Sequence, residues 1–294
     1  MRLKTALFGV LLFLQSALVL TGGAVRLTGS GLGCPTWPEC TPGSYTPVPH
    51  QEEKQLHAWI EFGNRLLTFA LLLAALLVVL NILITRRKDL RLLAAGQVLG
   101  ILGQGVLGGI TVLTDLHPAT VAAHLLLSML LIAGATSLYS RRHTPTVKVS
   151  ATTKTISVLS RMHVIVSFIV LILGTLVTGS GPHAGDEKSP RFDFDIRTVA
   201  WIHADAVIFL MGLTVAFLVA ASLGQSTKKA IYIFLGISLA QGVIGYLQYF
   251  TGIPEILVAA HLLGATVFWI ASWRVRLSVV RTPKEKEHKR EERR

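Results

Sequence analysis

Ten histidines are spread through this 294-residue sequence, and four of them, His57, His124, His203 and His261, stand just inside the same end of long apolar segments. A polar ring at membrane depth costs free energy unless it is bonded or used, so each of the four is a functional candidate. A single such histidine is more often a hydrogen-bonded core residue. Two on neighbouring helices can each offer a neutral imidazole to one metal, the way helical bundles clamp a haem iron. His203 and His261 open the sixth and eighth apolar segments and fit that pattern. His57 and Glu61 are spaced i, i+4 and Asn64 follows three residues later, so the three share one helical stripe, with Arg65 beside it. Together with His124 they would make a polar pocket. Glu61 has two readings there, a carboxylate that handles a proton or positive charge and the ion-pair partner of Arg65. His50, His117, His143, His183 and His288 fall in connecting segments and read as surface residues, while His163, beside a cytoplasmic Arg161, reads as structural.

The two cysteines lie close together in Gly33-Cys34-Pro35-Thr36-Trp37-Pro38-Glu39-Cys40. On an outward, oxidising face such a pair favours a disulfide over free thiols. A loop staple and a thiol–disulfide exchange site both remain open readings.

The elements that position these residues are set by composition. With 51% hydrophobic and 15% charged residues, the chain belongs in a bilayer. Crossing the hydrocarbon core takes about 20 mostly apolar residues, and eight runs qualify: 5–27, 62–84, 92–114, 118–139, 162–182, 198–223, 230–254 and 256–273. The first could pass for a signal peptide, but it continues into Thr21-Gly22-Gly23-Ala24-Val25-Arg26 without a cleavage pattern and reads as a retained span. An even number of spans puts both termini on one side, and the segments on that side hold 22 of the 28 lysines and arginines. That side is the cytoplasm of a cell membrane, with the cysteine loop outside. The net charge of +12 is therefore topology and no nucleic-acid footprint.

An internal repeat organises the spans. Gln104, Gly105, Gly108 and His124 recur as Gln241, Gly242, Gly245 and His261 at a constant offset of 137, within matching Val-Ala-Ala-His-Leu-Leu segments. A weaker echo relates Thr28-Gly29-Ser30-Gly31 to Thr178-Gly179-Ser180-Gly181 at an offset of 150. The expected fold is an all-α membrane protein with eight transmembrane helices in two tandem pseudo-symmetric four-helix bundles. Residues 1–140 form the first, 141–161 a cytoplasmic linker, 162–273 the second and 274–294 a charged cytoplasmic tail.

The stretch Thr21-Gly-Gly-Ala-Val-Arg26-Leu-Thr-Gly29-Ser-Gly31-Leu-Gly33-Cys34-Pro-x-Trp37-Pro38-x-Cys40, with Glu61-Phe-Gly-Asn64-Arg65 and the histidines opening spans four, six and eight, resembles the haem A synthase family of bacterial and mitochondrial inner membranes. The resemblance runs from the first span to the eighth. It implies an oxidoreductase that converts haem o to haem A by successive hydroxylations of one ring methyl to a formyl group, for terminal oxidase assembly. It implies a haem b held by His203 and His261, the substrate haem o at His124, Glu61 near the reacting methyl, and a Cys34–Cys40 disulfide. Arg26 and Arg65 are candidates for the haem propionates. The resemblance implies haem o and the farnesyltransferase that makes it as partners; membrane lipid, an electron donor of unspecified identity and, on the exchange reading of the cysteines, a thiol–disulfide partner complete the expected set. One residue departs from the pattern: the family carries histidine three residues after the glutamate, where this chain has Asn64. The substrate iron is then ligated either by His124 with His57 or by His124 alone with an open position.

Three other functions compete. A di-haem cytochrome b acting as electron carrier would need the histidine pairs but neither Glu61 nor the cysteine loop. A thiol–disulfide exchange protein usually carries a second cysteine pair nearby. A transporter tends to place its polar breaks near the midplane, whereas the polar residues here cluster at the outer ends.

Overall fold

The computed structural model describes residues 2–143, 154–220 and 223–280. All eight expected spans are helices: α1 Arg2–Leu27, α2 Gln55–Ile84, α3 Arg91–Leu113, α4 Pro118–Arg141, α5 Lys154–Ser180, α6 Ile196–Ala220, α7 Gln225–Phe250 and α8 Glu255–Val280. Each is long and apolar enough to cross a membrane, and no strand occurs among the described residues. Some helices run past the bounds set by hydropathy where charged and polar residues continue them outside the apolar core, while α5 and α7 stop at Ser180 and Phe250, short of the expected 182 and 254. Thus α5 starts at Lys154, inside the stretch expected as linker, and α8 continues through Arg274 and Arg276 to Val280. The rest of that linker, 144–153, and of the tail, 281–294, lies outside the described residues.

The longest helix is α2, with 30 residues. At 1.5 Å per residue it spans about 45 Å, well beyond a hydrocarbon core of about 30 Å. Its first two turns, carrying His57 and Glu61, can therefore stand at the polar boundary.

Several helices stop in the same way. After α1, Ser30 N–H donates to Val25 O and Gly29 N–H to Arg26 O, with Gly29 at φ 67°, a left-handed C′ position of the Schellman type. After α3, Leu116 N–H reaches Thr111 O, and after α7, Ile253 N–H reaches Gln248 O. The two turns carry positive φ at matching repeat positions, Asp115 and Leu116 at 52° and 59°, Gly252 and Ile253 at 81° and 59°. Proline then resets the chain: Pro118 is the first residue of α4, and Pro254 directly precedes α8, in keeping with the preference for proline at helix starts.

Within the first half α1, α2, α3 and α4 pack as a closed ring of neighbours, and α5, α6, α7 and α8 do the same in the second. The halves meet through α1 and α4 on one side and α5 and α8 on the other. Each half has its own apolar core, around Leu11, Val78, Ile101 and Leu138 in the first and Phe217, Ile231, Phe234 and Val275 in the second. A third core of Val19, Met129, Ile132, Ala133 and Trp269 fills the seam. Lipid is as apolar as these side chains, so specific bonds must fix the seam. Trp269 Nε1 donates to Met129 O (2.6 Å), Trp273 Nε1 to Ser137 Oγ (2.7 Å), and Arg26 Nη2 to Thr178 O (2.7 Å), a carbonyl in the last turn of α5 where a cation is favoured.

Candidate functional site

Three histidines share one local geometry. A Cβ added to Gly108 on α3 would lie 3.4 Å from His124 Cε1, one on Gly245 of α7 would lie 3.4 Å from His261 Cε1, and one on Gly174 of α5 would lie 3.3 Å from His203 Cε1. Each of these three imidazoles thus lies beside a glycine of the helix before it, close enough that an added Cβ would touch the ring. Nδ1 of His124, of His203 and of His261 is buried without a hydrogen-bond partner among the described residues. Cε1 and Nδ1 are the ring atoms nearest the glycine in all three, so Nε2 is the nitrogen farther from it.

His203 and His261 face each other across the second bundle with ring centroids 6.5 Å apart. Two bonds of about 2 Å from a metal to imidazole nitrogen, plus about 1 Å from each nitrogen to its ring centre, separate trans imidazoles by roughly 6 Å. The pair therefore fits a single metal centre between two helices, with glycines behind both rings.

The first bundle is built differently. Glu61 is buried (6% exposed) beneath the loop 28–54. Its Oε2 accepts the Cys34 N–H at 2.7 Å, and its Oε1 accepts Arg65 Nη2 at 2.6 Å and Nε at 3.1 Å. The ion-pair reading of Glu61 is thus present in the structure. Arg65 does more than pair with it, donating also to Cys34 O (2.8 Å), Thr36 O (3.2 Å) and Glu39 O (3.2 Å). One guanidinium holds three carbonyls of the cysteine loop and a carboxylate, a use of its fixed fork that lysine could not reproduce. Arg26 has a partner on α5, as described, and a buried Nε without one.

Cys34 and Cys40 form a disulfide, and both are fully buried. The loop they close is seated by close approaches to backbone. A Cβ on Gly33 would lie 2.5 Å from the His57 carbonyl carbon, and one on Gly109 of α3 would lie 2.5 Å from Trp37 Cδ2. The Trp37 ring therefore lies flat on α3 one residue from the glycine that backs His124. Gly109→Ala should lift Trp37 and cost about 1–3 kcal/mol as an overpacked contact, seen as a lower unfolding midpoint in detergent. His57 is half-buried, with its backbone under Gly33.

Some roles escaped the sequence reading. His117 accepts the Ala119 N–H as N-cap of α4, and His183 bonds Ile253 O at 2.8 Å, tying two connections; both histidines were read as plain surface. His163 is structural as expected, bonded to Thr214 Oγ1 (3.1 Å) and edge-on to Phe234. Gln104 donates to His124 O and Ser128 Oγ, locking α4 at the level of His124. Thr21 Oγ1 donates to Asn64 Oδ1 at 2.7 Å. The signals were present as polar residues at membrane depth, but only packing chooses their partners. An apolar groove of about 450 Å³ along the seam, lined in part by Leu93, Phe168, Trp269 and Trp273, contains none of the candidate histidines.

An eight-span helical membrane protein with imidazoles paired across a bundle interior defines a class, the polytopic proteins able to grip a metal-centred group between helices. Comparison makes it specific. Residues 5–185 match the family model of the COX15-CtaA cytochrome oxidase assembly proteins, and the chain belongs to that family. A haem A synthase of Sinorhizobium fredii is 25% identical over 90% of this chain and 87% of its own length. One from Rhizobium johnstonii is 26% identical over 90% of this chain and 88% of its own length. A third, from Shewanella oneidensis, is 33% identical over 47% of this chain and 45% of its own length.

Proposed function

We infer that this chain is a haem A synthase, a membrane-bound oxidoreductase that converts haem o to haem A. The family and its relatives support the activity. The assignment of residues rests on one observation: the two halves are unequal. The second offers two imidazoles 6.5 Å apart, whereas the first offers His124 and a buried carboxylate under a stapled loop. A plain electron carrier has no use for that difference.

His203 and His261 hold a haem b, which when bound supplies electron transfer to or from the first half. His124 ligates the substrate haem o. Oxidation of one ring methyl gives an alcohol, and a second oxidation at the same carbon gives a hydrated aldehyde that loses water to become the formyl group. With dioxygen as the oxidant each step takes two electrons from the donor and two protons, inserts one oxygen atom and releases one water, and the carbon is electron-poor while its C–H bond is being replaced. Glu61 is held at a fixed place by two partners, so it can accept a proton or stabilise developing positive charge without reorganising. The loop 28–54, pinned by Arg65 and Trp37, covers this end of the bundle. Arg26 and the one Nη1 hydrogen of Arg65 left over from the loop are the cations within reach of propionates. The repeat offsets and the three matching glycine–histidine contacts support descent of the two halves from one four-helix unit, with residues 1–140 and 162–273 as its copies. The lysine and arginine distribution supports a cell-membrane location with cytoplasmic termini. Haem o reaches the site from lipid after farnesylation elsewhere, and an electron donor completes the reaction.

The test is the identity of haem extracted from protein purified with a haem o supply, by chromatography and pyridine haemochrome. Haem b together with haem o or haem A is expected. His203→Ala should remove the haem b while leaving haem o bound. Haem b alone, with added haem o unconverted, would establish the electron carrier instead.

A further inference from the structure

The pairing of an imidazole with a glycine on the preceding helix occurs in three of the four hairpins, and in the fourth a different polar side chain lies near a glycine. On α2 the side chain near such a glycine of α1 is Asn64, whose Nδ2 lies 3.9 Å from where a Cβ on Gly22 would be. In the corresponding hairpin of α5 and α6 it is His203 that lies near a glycine of the preceding helix, Gly174, at a shorter 3.3 Å. His57 does not have it: it lies two turns earlier on α2, and what it gives the fold is backbone contact with Gly33. The second half thus has two imidazoles at its paired positions, and the first has His124 and an amide.

An amide is a far weaker iron ligand than imidazole. Asn64 is also not free to turn. The Thr21 hydroxyl donates to its Oδ1 at 2.7 Å, and among the described residues the two N–H donors of Nδ2 have no partner.

We propose that the substrate haem iron of the first half has one protein ligand, His124, and that Asn64, oriented by Thr21, guards the open coordination position as a hydrogen-bond donor to small ligands there. The inference rests on the first half being the haem o site. It assigns Thr21 as a positioning residue and makes the two halves chemically distinct: the second is closed on both sides of its metal, the first is open on one.

The test uses the purified full-length protein loaded anaerobically with haem o, its spin state read by electron paramagnetic resonance and optical spectra. In the wild type, a high-spin ferric haem is expected beside a low-spin one, and only the high-spin fraction takes up carbon monoxide when reduced and azide when oxidised. Asn64→His should turn that fraction low-spin and abolish both uptakes. Thr21→Val should leave the spin state unchanged and weaken azide binding about fivefold, the size of one hydrogen bond. A wild type with both haems low-spin, one of which becomes high-spin in His57→Ala, would make His57 the second ligand and overturn the proposal alone. If the protein takes up no second haem, or takes it up unaffected by His124→Ala, the reading of the first half as a haem site falls and this inference with it.

Discussion

Glu61→Gln should abolish conversion of haem o while leaving the protein folded and its haem content unchanged. Glutamine keeps an oxygen for Arg65 and nearly the same shape, at the cost of the bond from the Cys34 N–H, which would meet its NH2, and it can neither take a proton nor carry negative charge. Loss of a positioned general base or charge stabiliser costs about 10²–10⁴ in rate, so haem A formation should drop below detection in a chromatographic assay that also scores haem bound per chain. The choice of glutamine matters. Glu61→Ala would strand Arg65 without its carboxylate at a site only 21% exposed, and removing one partner of a buried pair destabilises on its own account. An inactive alanine variant could therefore report a collapsed loop. A glutamine variant that still makes haem A would remove Glu61 from the chemistry and leave it a structural partner of Arg65.

Arg65→Lys should release the cysteine loop. Lysine keeps the charge but has no planar fork, so it can hold at most part of the set made up by Glu61, Cys34 O, Thr36 O and Glu39 O. Charge-assisted bonds of this kind contribute about 1.5–3 kcal/mol each, and losing two of them raises the population of the open loop by well over about tenfold. In the wild type both sulfurs are fully buried, so a thiol reagent or exchange partner must wait for the loop to lift. The measurement is the rate at which Cys34 and Cys40 become alkylated in native membranes under mild reductant. It should be slow in wild type and faster by at least about tenfold in Arg65→Lys, with haem A production falling in parallel because Glu61 has lost its frame. Rapid labelling of the wild type would contradict the buried staple and favour a redox-active pair served by a partner.

Much of this could be read directly from residues. Eight spans and the offset that relates Gln104, Gly108 and His124 to Gln241, Gly245 and His261 follow from hydropathy and periodicity. Those signals are local or repeated, and a membrane narrows the folds that can satisfy the backbone. The histidines were visible as candidates for the same reason, because polar rings in apolar segments are costly. Which helices adjoin could be guessed from short connections, though not that α1 and α4 would meet α5 and α8.

The tertiary structure decided the rest, and what it decided concerns partners. Glu61 had two readings, and the ion pair with Arg65 is real, yet nothing in the spacing said that the same arginine would gather three loop carbonyls. A guanidinium chooses among acceptors brought near by a chain reversal, and sequence distance carries no such information. The seating of the loop depends on glycines at 33 and 109 that look like ordinary small residues of a membrane helix or turn until Trp37 and the His57 backbone are found against them. Asn64 shows the division most clearly. The sequence marked it as a departure on a stripe with His57 and Glu61, while its place in the row of glycine-backed side chains, and the hydroxyl of Thr21 that fixes it, exist only once α1 and α2 are packed together.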